Sequence, residues 1–119
     1  MSPPLTFLYT PADRPDRVRK ALASEADVVL VDLEDAVAPA RKDEARENVL
    51  ELLAAVARPV QVRVNHPSTP WHDADLAALA RLPLPVGARL PKVEAPAEIE
   101  AAEAVLPGRA LHPLIESAL

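Results

Sequence analysis

Five short apolar runs, separated by segments of helical spacing, recur along the chain, and this alternation narrows the possible folds more than any other feature of the sequence. The runs are Leu5 to Tyr9, Val28 to Leu33, Val60 to Val64, Ala88 to Leu90 and Ala110 to Ile115, each bounded by turn-forming or charged residues. Runs of this length and content read as strands. Between the second and third, Ala45, Val49, Leu52, Leu53 and Val56 repeat at helical spacing, opposite Glu44, Glu47, Asn48 and Glu51. That predicts an amphipathic helix over Lys42 to Ala57. An earlier helix is expected to open at Asp13 as N-cap, with Pro15 and Asp16 in its first turn, and to bury Val18, Ala21 and Leu22. A third is expected over Asp73 to Leu82 with Leu76, Leu79 and Ala80 inward. The fourth should run from Pro96 through Ile99, Ala102 and Val105 until Pro107 and Gly108 stop it.

Strict strand-helix alternation implies a parallel sheet with right-handed crossovers, either open and doubly wound or closed as a barrel. A doubly wound sheet usually carries a glycine-rich first turn, and here that turn reads Thr10-Pro11-Ala12-Asp13-Arg14-Pro15, which favours the barrel. Eight such units would need roughly 250 residues. The chain has 119. The expected fold is therefore α/β, with residues 1–119 forming one partial domain: strands one to five of a (β/α)8 TIM barrel, its N-terminal half, cut short after the fifth strand.

Composition removes several functions. No cysteine is present, so disulfides, thiolate nucleophiles and cysteine zinc sites are excluded. Gly87 and Gly108 are the only glycines, too few and too far apart for a GxGxxG turn or a Walker-type phosphate loop. A net charge of −5 and a single Phe7, Tyr9 and Trp71 speak against nucleic acid as a partner. The longest apolar runs are far too short to span a bilayer, and no leader of the secretory kind precedes the first strand, so no membrane role and a cytoplasmic location are expected. The fourteen prolines are dispersed and punctuate the chain rather than forming a linker.

In α/β folds the chemistry gathers at the carboxyl ends of strands. Here those ends are polar: Asp32, Glu34 and Asp35, then Asn65, then Lys92 and Glu94, then Glu116 and Ser117. Period two puts Val60, Val62 and Val64 on one face and Gln61, Arg63 and Asn65 on the other. The valines must meet the helices, so Arg63 points into the barrel. Asp32 and Glu34 share a face by the same rule, as do Lys92 and Glu94, and as do His112, Leu114 and Glu116. A guanidinium there needs a carboxylate, either Glu34, Glu94 or Glu116 in a structural ion pair, or that of an anionic substrate gripped bidentately. Glu116 is either a solvated strand-end charge or an oxygen ligand for Mg²⁺, which takes one or two carboxylates plus water and substrate oxygens. Arg14, Arg17, Arg19 and Lys20 make a basic cluster that is either a solvated face or a phosphate grip. Dispersed His66, His72 and His112 make no metal motif. Trp71 reads as a loop anchor or helix-start contact, and Ser117 lacks the surroundings of a serine nucleophile.

Read together, Phe7 to Arg17, Val31-Asp32-Leu33-Glu34-Asp35-Ala36-Val37, Val62-Arg63-Val64-Asn65, Leu90-Pro91-Lys92-Val93-Glu94 and Leu114-Ile115-Glu116-Ser117-Ala118 resemble, in order and spacing, the citrate lyase beta subunit-like family of the HpcH/HpaI aldolase superfamily. The resemblance covers essentially the whole chain. It implies a TIM barrel, Mg²⁺ dependence and reversible carbon-carbon cleavage of a β-hydroxyacyl-CoA thioester such as citryl-CoA or malyl-CoA, or of a related organic acid. It further implies that Arg63 binds the substrate carboxylate or carbonyl and that Glu116 ligates Mg²⁺ and contacts substrate. Arg14 and Lys20 would lie near the phosphates of CoA, and Glu34 and Asp35 would border the site and order Arg63 and water. The family's second Mg²⁺ ligand, an aspartate on the strand that follows, has no counterpart, since the chain stops three residues after Glu116. The 119-residue polypeptide alone is therefore expected to be inactive, and to form a homo-oligomer or take a partner chain that completes the barrel. Two rival expectations are a non-catalytic binding or assembly fragment, and a CoA-independent keto-acid aldolase for which Arg14 and Lys20 are dispensable.

Overall fold

The computed structural model describes residues 5–115. Its elements are β1 (Phe7–Pro11), α1 (Pro15–Leu22), β2 (Val28–Asp32), a 3₁₀ turn (Pro39–Arg41), α2 (Lys42–Leu52), β3 (Val60–Arg63), α3 (His72–Leu79), β4 (Val86–Val93), α4 (Pro96–Val105) and β5 (Leu111–Ile115). The five strands form one parallel sheet in the order β1-β2-β3-β4-β5. Each crossover advances to the next strand in the same direction, and right-handed crossovers then place every helix on one face. A doubly wound sheet reverses direction part-way; this one does not.

Period two does the rest. Val29, Val31, Val60, Val62, Val86 and Ala88 are buried on the helix side against Val18, Ala45, Val49, Leu76, Leu79 and Ala102. The alternate residues form the face without helices, and that is where Arg63 stands.

Several boundaries differ from the sequence expectation. Arg14, not Asp13, occupies the cap position of α1, with no side-chain cap hydrogen bond. The Asp13 carboxylate instead receives Arg41 Nε at 2.9 Å, which ties the end of β1 to the turn before α2. Helix α2 stops at Leu52 rather than Ala57. Leu53 leaves helical conformation as the C-cap, its N–H donating to the Val49 carbonyl, and its side chain stays fully buried. Helix α3 spans His72–Leu79 rather than ending at Leu82. Strand β1 begins and ends two residues later than expected, and β4 extends in both directions to eight residues. Its register against β5 shifts between Leu90 and Val93, at Pro91, which has no N–H to give the ladder.

Two arginines bind loops at the end of the sheet where strands begin. Arg58 donates to the carbonyls of Leu22, Ser24 and Ala26. Arg109 donates to those of Leu82, Pro83 and Val86 at 2.6 to 2.8 Å. Gly108 closes α4 at φ 75°, where a side chain would be strained. Among the described residues no helix is long and apolar enough to cross a membrane.

Candidate active site

The hydrogen-bonded register aligns Pro11, Asp32, Arg63, Arg89 and His112 in one row across all five strands. Neighbours of these residues along each strand belong to the helix-side core, so the row lies on the open face. Buried Leu30 and Gln61 and the small Gly87 form the adjacent row. Gly87 keeps the packing there loose: a Cβ would come within 3.1 Å of His112 Nε2 and 3.2 Å of the Ala110 carbonyl, tight contacts to which these neighbours would have to adjust.

Arg63 does point onto this face, but its counter-charge corrects the expectation. Among the described residues the main partner is Asp32, not Glu94, with the expected Glu34 a more distant second; Glu116 lies outside the described residues. Arg63 Nε donates to Asp32 Oδ1 at 2.9 Å and Nη2 donates to Oδ2 at 2.6 Å, a side-on fork. Glu34 Oε1 stands 3.5 Å from Arg63 Nε. Burial opposes charge on Asp32, yet the Arg63 guanidinium and the backbone N–H groups of Glu34 and Ala36 outweigh it and hold the carboxyl below its ordinary value. The bond to Asp32 correspondingly raises the pKa of Arg63. Arg63 Nη1 has no partner among the described residues and remains open to a ligand.

Glu34 is gripped through its backbone. Asp32 Oδ1 accepts its N–H at 2.8 Å, and buried Lys42 donates to its carbonyl at 2.6 Å and to that of Leu33 at 2.9 Å. The Lys42 ammonium also lies 5.2 Å from the Trp71 ring centroid, so Trp71 is indeed an anchor at the start of α3. Asn65 donates to Leu33 and to Asp75, and Asp75, 1% exposed, also accepts from Arg46 on α2. With its main chain fixed on both sides, only the Glu34 side chain is free to respond to a ligand. Burial, then the neighbouring Asp35 charge, raises its pKa against the pull of Arg63.

The remaining sequence candidates are dispersed. Asp35 is exposed and borders, with Tyr9, Pro11, Asp32 and Arg63, a cleft of about 340 Å³. Arg14 is exposed at the start of α1, whereas Lys20 lies in its last turn and lines, with Arg17 and Ser24, a separate cleft of about 410 Å³ against β1. The structure does not bring those two cations into one pocket. Lys92 and Glu94 stand 3.9 Å apart, and His66 faces Glu98 at 3.8 Å. Glu116 and Ser117 lie outside the described residues. Sequence reasoning missed Lys42, Asp75 and Arg89, and placed Gln61 on the face of Arg63 without giving it a role. For Arg89 the signal was present: Val86, Ala88 and Leu90 alternate with Gly87, Arg89 and Pro91.

No group of three His, Cys, Asp or Glu able to hold a metal ion exists among the described residues. Asp32 is committed to Arg63 and two N–H groups, which leaves Glu34 and Asp35 as the free carboxyls near the row. One or two such oxygens suit Mg²⁺ as part of a ligand set.

A family model for HpcH/HpaI aldolase/citrate lyase proteins matches residues 5–110. The chain belongs to this family. Among its curated members, citrate lyase subunit beta of Leuconostoc mesenteroides subsp. cremoris is 36% identical over 104 residues, covering 85% of this chain and 34% of that protein. A (3S)-malyl-CoA thioesterase of Cereibacter sphaeroides is 36% identical over 116 residues, covering 95% of this chain and 40% of that protein. The crystal structure of CitE from Mycobacterium tuberculosis with magnesium, acetoacetate and coenzyme A superposes with a TM-score of 0.75 at 36% identity, over 95% of this chain and 40% of that one. The chain thus spans about a third to two-fifths of the length of these HpcH/HpaI relatives.

Proposed function

We propose that this chain carries the substrate-gripping part of an Mg²⁺-dependent carbon-carbon lyase acting on a β-hydroxyacyl-CoA of the citryl-CoA or malyl-CoA kind, and that residues 1–119 form a partial domain supplying strands one to five of a TIM barrel. The observation that carries the reading is the Arg63–Asp32 fork on the open face, within a chain whose family relatives include lyases for such thioesters. Asp32 fixes the guanidinium in plane and leaves Nη1 free to hold a substrate carboxylate or carbonyl in one orientation. Glu34, its carboxyl raised above the ordinary range and its backbone clamped, is suited to take up a proton beside that group and return it. Glu116 is the proposed Mg²⁺ ligand, with Glu34 or Asp35 ordering water around it. The ion, when bound, supplies an electrophile for the oxygen on which charge builds as the bond breaks. Arg14, and separately Lys20, are proposed contacts for the CoA phosphates.

Calorimetric titration of acetoacetate and of CoA into the purified chain, with and without Mg²⁺, tests this. Acetoacetate affinity should rise with Mg²⁺ and fall about tenfold or more in Arg63→Ala. Binding indifferent to both would overturn the reading. Because the chain spans less than half of its relatives, turnover of malyl-CoA is expected only when further strands complete the site.

A further inference from the structure

The open face holds a second arginine that the lyase reading does not use. Arg89 is the Cα partner of Arg63 on the adjacent strand, about 5 Å away at ordinary strand spacing. Its setting differs from that of Arg63. Where Arg63 is answered by Asp32 and Glu34, Arg89 forms no ion pair with any described residue. Its Nε donates to Gln61 Oε1 at 2.8 Å, and Gln61 is itself buried. Its guanidinium carbon lies 6.0 Å from the Phe7 ring centroid. One N–H is thus tied and the Phe7 ring stands near the cation, which together restrain the group. The four Nη N–H donors have no protein partner among the described residues. A half-buried, oriented fork without a carboxylate is costly unless an anion takes its place. His112, the next member of the row, carries no negative charge in either protonation state and so cannot answer the guanidinium.

We propose that Arg89 is a second carboxylate-binding position on the open face, which takes the far carboxylate of a short dicarboxylic acid whose near oxygen group is held by Arg63. The site therefore selects dicarboxylic over monocarboxylic acyl groups, with Gln61 as the positioning residue that aims the fork. The inference rests on the proposed function only for the location of the near group at Arg63.

Arginine Nε–Hε resonances in ¹⁵N–¹H spectra, titrated with succinate and with propionate at fixed ionic strength and without metal or thioester, provide the test. In the unaltered chain, succinate should shift the Arg63 and Arg89 signals together and propionate the Arg63 signal alone. Arg89→Met should lower succinate affinity about tenfold, to that of propionate. Arg89→Lys, which keeps the charge in the same fold without the fork, should fall between the two. An unshifted Arg89 signal, or a succinate preference that survives Arg89→Met, overturns the proposal. So does an Arg89→Met chain that keeps the preference but loses self-association by sedimentation, because the carboxylate is then a protein's. If neither acid shifts Arg63, the fault lies instead in the reading of Arg63 itself.

Discussion

Asp32 does three things with two oxygens: it accepts the Arg63 fork, the Glu34 N–H and the Ala36 N–H. Its carboxylate is therefore both the counter-ion of the candidate site and the cap of the turn that carries Glu34. Asp32→Asn should destabilise the chain by about 3 kcal/mol in urea unfolding, since it strands a largely buried cation. The pH dependence follows from the direction of the shift. Because the folded pKa of Asp32 lies below the ordinary 3.8, its stabilisation is complete at neutral pH and is lost as pH falls through the folded value. Asp32→Asn should flatten the acid limb of the stability profile. Glu34 has the opposite sign. Its folded pKa lies above the ordinary 4.5, so its contribution is full below that value and declines as pH rises through the folded value. Glu34→Gln should raise the Tm at neutral pH and leave it unchanged in acid; equal shifts at both pH values would refute the assignment. That Asp32, Glu34 and Arg63 lie on one face was legible from period two alone. Which acid answers the arginine was not, because Asp32 and Arg63 are 31 residues apart and meet only through strand register.

At the scale of elements, existence and order could be read from the sequence, and ends could not. Helix α4 obeyed its local signals, Pro96 at the start and Gly108 beyond the end, and Glu98 in its first turn accepts from the backbone N–H groups of Glu94 and Ala95. Helix α1 did not, since Asp13 finds a stronger partner in Arg41 across the loops than in the helix N-terminus. The loops at the strand-start end are held by Arg58 and Arg109, whose roles depend on carbonyls 23 to 36 residues away. Arg109→Gln should cost about 2 kcal/mol and speed amide exchange in the α3–β4 loop while leaving the Arg63 row protected. Uniform loss of protection across the sheet would show that the loop is not a separate unit.

For the molecule as a whole, the outer edge of β1 is unpaired among the described residues, and the strand carries exposed Phe7, Leu8 and Tyr9, with exposed Leu5 just before it. An apolar parallel edge invites pairing with another chain. The 119-residue polypeptide is expected to self-associate as its concentration rises in sedimentation velocity, and Leu8→Lys should reduce that association without lowering Tm. A monomer at all concentrations would contradict this.

The sequence by itself determined the alternation of elements, the parallel sheet, the face on which Arg63 stands and the family, because each is written in local period or in motifs of a few residues. Only the tertiary structure decided that Asp32 holds Arg63, that Lys42 and, through Asn65, Asp75 brace the Leu33–Glu34 main chain, and that Arg89 stands beside them without a carboxylate among the described residues. Those contacts arise between strands and helices far apart in the chain, and the register that joins them is a property of the packed sheet rather than of any one segment.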